Sequence, residues 1–227
     1  MNLVKNTILV IAAHPDDEVL GCGGTIAWHK DKGDAVHIRI FAEGITSRLV
    51  KGNQKLSSLH KCSQEVGKIL GADSVNLLNL PDNRLDSLDR LDIIQMIEKE
   101  ISEIQPDTVY VHHCGDVNID HRRLHEGVVT ACRPVPGSNI RKILSYEIQS
   151  STEWQPPGSA APFLPNWYID ISKQLERKLR ALEIYSEEMR PWPHARSIKA
   201  VEHLIKLRGS HVGCEAAEAF RLLRYVQ

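Results

Sequence analysis

Apolar and polar positions along the chain fall into two alternating kinds of block. Short apolar, β-branched runs at Ile8 to Ala12, Val36 to Ala42, Ser74 to Leu80 and Thr108 to Val111 predict strands, the first running on to His14, where Pro15 cuts it off. Between them lie longer stretches with helical character, at 17–32 and 54–70. Leu91, Ile94, Ile97, Ile101 and Ile104 then recur at helical spacing, predicting a helix whose apolar face covers a sheet and which Pro106 stops. Leu124, Val128, Val129 and Cys132 describe another, starting near Asp120 as a cap residue and ending before Pro134. It would place His121 and His125 one turn apart on one face. A fifth strand fits Lys142 to Ile148. Residues 149–168, rich in Pro, Ser, Gly and Trp, read as a long loop able to shape a pocket. Helices follow at 172–189, with Leu175, Leu179, Leu182 and Tyr185 inward, and at 194–208. The tail from Gly209 to Phe220 is a turn entering an element whose type the pattern leaves open.

Four βα units in succession imply an α/β fold, a Rossmann-like and mainly parallel sheet with helices on both faces. Without repeats, low-complexity segments or a composition break, residues 1–227 read as a single domain, large enough to bury a core without staples. Hydrophobic content of 42% and charged content of 25% fit a soluble globular protein. Lys+Arg 28 against Asp+Glu 29 excludes a basic nucleic-acid footprint or a membrane-seeking surface. The five cysteines form no C-x-x-C pair, which argues against a disulfide framework and a structural zinc knot. The N-terminal apolar run is too short for a membrane span or a signal peptide, so the cytoplasm is the expected location. A homo-oligomer is compatible with all of this.

The chemistry concentrates where predicted strands end. Ala13-His14-Pro15-Asp16-Asp17-Glu18 follows the first strand, and His112-His113-Cys114-Gly115-Asp116-Val117-Asn118-Ile119-Asp120-His121 follows the fourth. In open α/β sheets ligands bind at such ends, where the loops diverge. The acidic triplet would also suit a helix start, yet a cap needs one carboxylate and no histidine. Gly21, Gly23 and Gly24 weaken the following helix by about 1 kcal/mol each relative to alanine. They therefore predict close backbone approach to the sheet or to a ligand. A dinucleotide loop is excluded by the missing later glycine and by carboxylates that would repel a pyrophosphate. Two more loops carry candidate ligand contacts: Arg48 after the second strand, and Asp82, Asn83 and Arg84 after the third.

A catalytic zinc ion takes about three protein ligands of nitrogen and carboxylate oxygen and keeps one position for water. His14, Asp17 and His121 supply that set. The water's pKa would fall toward about 7, and Asp16, next in the same turn, is placed to act as its general base. Zinc suits a mixed N/O site, and Fe2+ or Co2+ would also fit.

The A-H-P-D-D-E stretch, the D-H-x-x-x-H segment from Asp120 to His125 and the tail Ala217-Glu218-Ala219-Phe220 together resemble the LmbE/PIG-L family of zinc-dependent N-deacetylases. The resemblance covers nearly the whole chain. It implies a hydrolase that removes an N-acetyl group from a small amino sugar or glycoconjugate, with His14, Asp17 and His121 on the metal and Asp16 as base. One position departs from the family pattern. Where relatives often carry a histidine three residues before the ligand histidine, this chain has Asn118. An asparagine amide can donate to an oxyanion but cannot deliver a proton. The leaving amine's proton then falls to Asp16 or to another histidine, His211 first and His113 behind it, while Asp120 keeps an orienting role.

Two alternatives stand beside this reading: a metal hydrolase acting on a non-sugar amide, and a sugar-binding module that has lost turnover. Arg48, Asp82, Asn83 and Arg84 offer the planar groups that read sugar hydroxyls. Trp154, Trp167 and Trp192 could stack on a sugar face.

Overall fold

The computed structural model describes residues 5–44 and 53–227, with side chains from residue 56 onward in the second stretch. Its elements run β1 (Thr7–Ala12), α1 (Asp17–Asp31), β2 (Ala35–Ala42), α2 (Asn53–Leu70), β3 (Ser74–Leu80), α3 (Arg90–Ile104), β4 (Thr108–His112), α4 (Ile119–Ala131), β5 (Lys142–Tyr146), β6 (Trp167–Asp170), α5 (Leu175–Ile184), α6 (Ile198–Ser210) and β7 (Ala217–Tyr225). The strands form one seven-stranded sheet in the order β3-β2-β1-β4-β5-β7-β6. β1 to β5 pair in parallel. β7 runs antiparallel to both β5 and β6.

The chain steps outward from β1 to β3, then returns to β4 on the other side of β1. Loops leaving the carboxyl ends of β1 and β4 therefore part in opposite directions and open a crevice between them. β1 can sit at this centre because Ile8 to Ala12 are fully buried. Ile8 and Val10 pack with Ile26, Val66, Leu70 and Leu182 on one face. Leu9 and Ile11 pack with Ile93, Ile97, Leu124 and Val128 on the other. Helices thus cover both faces, as the pattern requires.

Several expectations need correction. β1 ends at Ala12 and β5 at Tyr146, two residues before the predicted limits; α5 occupies only part of the span 172–189, and α6 starts four residues later than predicted and runs two residues further. β6 begins in the last two residues of the expected loop and runs past it, and the tail enters strand β7 at Ala217, which pairs with β5 and β6. Leu91 and Val129 point outward, 60% and 44% exposed, while Ile93 turns in. Asn118, not Asp120, caps α4: its Oδ1 accepts from the Asp120 N–H at 2.8 Å.

The glycines of α1 serve packing. A Cβ on Gly21 would come within 2.3 Å of Tyr146 Cδ2, and one on Gly24 within 2.5 Å of Ile171 Cδ1. Only bare backbone lets α1 lie this close to the sheet. The helix also breaks at Cys22 (φ −150, ψ 24), which strands polar groups in the core. Lys178 Nζ donates to the orphaned Leu20 carbonyl at 2.8 Å, and Glu218 accepts from the Gly24 and Thr25 N–H groups at 2.9 and 2.7 Å. The two side chains, both buried, meet at 2.6 Å. This ion pair from α5 and β7 stitches the break and holds the first turn of α1 at the strand ends.

Candidate metal centre at the strand ends

After β1 the chain turns sharply through Asp16, whose φ of 114 puts a non-glycine residue in a left-handed conformation. Such a conformation costs on the order of 1–3 kcal/mol and persists only where its surroundings enforce it. Asp16 occupies the cap position of α1, yet its side chain makes no capping bond. The helix start is completed by the Asp16 carbonyl, which accepts from Val19 and Leu20 N–H at 3.0 and 2.8 Å. Its carboxylate is left for other work. Oδ2 accepts from Arg196 Nη1 at 3.0 Å, and the buried Oδ1 has no partner among the described residues. Burial pushes the Asp16 carboxyl up to about 7, with Arg196 pulling against it.

The same turn brings His14 and Asp17 together, and the first turn of α4 adds His121. Asp17 Oδ2 stands 3.2 Å from His14 Nδ1 and 3.2 Å from His121 Nε2, and it also accepts from the His14 backbone N–H at 2.9 Å. Ligand atoms of one tetrahedral zinc, each about 2.0–2.1 Å from the ion, lie roughly 3.3 Å apart. Both His121 nitrogens are buried with no aligned hydrogen-bond partner among the described residues, although Asp17 lies near Nε2 and Asp116 near Nδ1. A cation between the three groups would satisfy Nε2, so the residues fit a metal.

A second ring of carboxylates orients these ligands. On the far side of His14, Nε2 lies 3.1 Å from Asp120 Oδ2 and 3.2 Å from Asp82 Oδ1. Asp120 is itself fixed by the N–H groups of Asn83 and Leu85, at 2.7 and 2.9 Å. Behind His121, Asp116 Oδ2 lies 3.1 Å from Nδ1. Asp116 accepts from Ser151 Oγ, from Thr152 Oγ1 at 2.7 Å and from the Asn118 N–H at 2.8 Å. Carboxylate–histidine pairs of this kind set the tautomer and raise the basicity of a metal-binding imidazole. Against His121 the ring of His112 stacks at 3.9 Å and 15°, its Nε2 accepting from the Ala13 N–H at 2.8 Å.

The electrostatics demand positive charge here. Asp16, Asp17, Asp82, Asp116 and Asp120 are all at most 2% exposed. Burial would raise Asp116, but His121 and the two hydroxyls outweigh it and hold the carboxyl at about 2. Burial would equally lower His121, but Asp17 and Asp116 push it up to about 9. Without a metal the carboxylates hold protons on the imidazoles, and a divalent cation would displace them.

A family profile described as PIG-L, GlcNAc-PI de-N-acetylase, matches residues 9–132, the span that holds both halves of this cluster. The chain belongs to the PIG-L family. The uncharacterized deacetylase YaiS of Escherichia coli (strain K12) is 32% identical over 79% of this PIG-L chain and 90% of its own length. The diacetylchitobiose deacetylase of Thermococcus kodakarensis is 28% identical over 80% of this chain and 69% of its own. Among solved structures, a conserved protein from Thermus thermophilus superposes with a TM-score of 0.77 at 26% identity, over 98% of this chain and 96% of that one. GalB, the 4-carboxy-2-hydroxymuconate hydratase of Pseudomonas putida KT2440, reaches a TM-score of 0.75 at 21% identity over 98% of each chain, a likeness of fold alone.

In this PIG-L chain the structure brings His14, Asp16, Asp17, Asp120 and His121 together, and Asn118 beside them. It does not bring His211 or His113. His211 is exposed at the end of α6, its ring against Tyr168 by the β6 edge. His113 turns away to the Ala161 carbonyl at 2.9 Å. Asp82 is buried with Oδ1 3.2 Å from His14 Nε2, and its loop wraps the Asp120 carboxylate with backbone N–H groups. Arg84 is exposed at the start of the next turn. Arg48 lies outside the described residues. Asn118 spends Oδ1 on the α4 cap, and its Nδ2 donates to Asn83 Oδ1 at 3.0 Å. Sequence reasoning missed Arg196, which lies far from Asp16 along the chain. It also gave no role to His112 or Asp116, although both stand in the second polar cluster.

Proposed function

We propose that this chain, as one domain over residues 1–227, is a metal-dependent N-deacetylase that hydrolyses the N-acetyl group of an amino sugar or glycoconjugate. His14, Asp17 and His121 would hold the metal. Zinc is the ion this donor set suits best, with Fe2+ or Co2+ compatible. When bound, the ion supplies Lewis acidity, polarising the acetyl carbonyl and acidifying water. The observation that carries the reading is the Asp16 carboxylate, strained, clamped on one oxygen by Arg196 and free on the other.

Asp16 Oδ1 takes the proton from the attacking water. With no histidine at position 118 and His211 elsewhere, the same oxygen returns the proton to the leaving amine. A carboxyl near neutrality is suited to both transfers. The second N–H of Asn118 Nδ2, not used by Asn83, supports the developing oxyanion. Asp120 and Asp82 fix His14 from behind, and Asp116 fixes His121. Arg84 and Arg48 remain candidates for hydroxyl recognition. A binding module without turnover would have no use for a strained, half-free Asp16.

The test is acetate release from a panel of N-acetylated monosaccharides, disaccharides and nucleotide sugars with zinc present. Release from the sugars supports the reading, whereas release only from non-sugar amides, or none at all, overturns it.

A further inference from the structure

Trp154 is an exposed indole on a turn fixed to the metal centre from two sides. From one side the Ser151 and Thr152 hydroxyls donate to Asp116, the carboxylate behind His121. From the other, Arg196 donates through Nε to Ser150 Oγ at 2.9 Å while its Nη1 holds Asp16. The turn Thr152–Trp154 is closed as well by Glu153, which accepts from the Ser150 and Ser151 N–H groups at 2.6 and 3.2 Å. On this scaffold Trp154 is 53% exposed. It meets His194 edge to face, with ring centroids 5.6 Å apart, and His194 Nδ1 accepts from the Arg196 N–H at 2.9 Å. The two rings form a corner linked bond by bond to Asp16 and Asp116.

Core packing does not account for a large apolar ring held half in water on a turn anchored to the buried Asp116. Its neighbour Trp192 is 52% exposed too, but that ring packs on His203 and Lys199, both from α6. Holding an indole still before a ligand arrives removes the ordering cost of binding, and a flat apolar ring flanked by polar groups matches a pyranose, whose C–H face is apolar and whose rim carries hydroxyls.

We infer that Trp154, with His194 at its edge, is the saccharide platform of this site, and that the substrate is a pyranoside which lays a C–H face on the indole. The inference rests on the deacetylase reading and narrows it to cyclic sugars. Its test is the Kd of N,N'-diacetylchitobiose, measured by calorimetry on zinc-loaded protein in the catalytically silenced Asp16→Asn background. Trp154→Ala should raise Kd roughly five- to tenfold. Trp154→Phe should restore it to within about threefold of the parent on the same scale, and both variants should keep the parent's melting temperature and zinc content. Equal Kd values for the parent and Trp154→Ala, in a protein whose wild type releases acetate from N-acetyl sugars, overturn the platform and leave the deacetylase standing. A wild type that releases acetate from none of these sugars overturns both.

Discussion

Arg196 Nη1 donates to Asp16 Oδ2 at 3.0 Å, joining the loop before α6 to the strained turn after β1. The bond occupies one carboxylate oxygen and thereby aims the other. A charge-assisted hydrogen bond of this kind contributes about 1.5–3 kcal/mol. Arg196→Met should therefore lower kcat roughly 10- to 100-fold on the transition-state scale while zinc content is unchanged. Steady-state rates and metal analysis on the same preparation check this, and an unaltered kcat would remove Arg196 from the mechanism.

Metal binding and proton transfer should separate by residue. Asp17→Asn and His121→Ala should lose the metal. Asp16→Asn should keep it and lose about 10²- to 10⁴-fold in rate, the usual worth of a general base. Asp120→Asn and Asp116→Asn should weaken metal affinity by roughly 10- to 100-fold, because each orients a ligand imidazole. Competition with a chelator of known affinity ranks all five. A metal-free Asp16→Asn protein would reverse the assignment.

The buried Lys178–Glu218 pair should prove costly to split. Lys178→Met leaves the buried Glu218 carboxylate without its counter-charge, held by the Gly24 and Thr25 N–H groups alone, and the Leu20 carbonyl without its donor. Breaking a buried pair from one side destabilises by about 3–5 kcal/mol, lowering Tm by roughly 10 °C in a chain of this size. Calorimetric melting decides the matter, and a shift under about 2 °C on that scale would mean the break in α1 needs no stitch.

Thiol reactivity should follow burial. Burial pushes the Cys132 thiol up to about 12, so at pH 8 only about one part in ten thousand is thiolate. Cys22 is raised as well, also by burial, whereas Cys114 is exposed. Alkylation of the native protein followed by peptide mass analysis should label Cys114 and spare Cys22 and Cys132 until denaturant is added. Rapid native labelling of Cys132 would contradict the packing beneath α4.

Acid should destabilise the fold partly through His29. Burial lowers its pKa, with the Asp34 contact at 2.7 Å opposing, so the folded state binds fewer protons than the unfolded chain once pH falls below about 6.5. Stability from this group is complete above the unfolded value and is lost as pH drops through it to the folded one. His29→Gln should flatten that part of the urea midpoint against pH below about 6.5. An identical slope in the variant would assign the loss to other groups.

The sequence by itself determined the parallel half of the sheet, the two faces covered by helices and the pairing of His14, Asp17 and Asp120-His121 at two strand ends. These features follow from local periodicity and from the rule that strands of consecutive βα units end on one side, so neighbouring residues suffice to read them. Tertiary structure alone decided the rest. β6 and β7 exist as strands because β7 finds β5 on one side and β6 on the other, a pairing that no local pattern encodes. Arg196 reaches Asp16, Ser151 and Thr152 reach Asp116, and Lys178 and Glu218 reach the break in α1 through contacts between segments far apart in sequence, fixed by how helices, strands and loops pack together. His211 shows the converse, since its place in the chain fitted an acid and the packing of α6 beside β7 carried it to the sheet's edge. Asn118 was legible as a departure from the family pattern, but that half its amide caps α4 and half faces Asn83 is a fact of geometry alone.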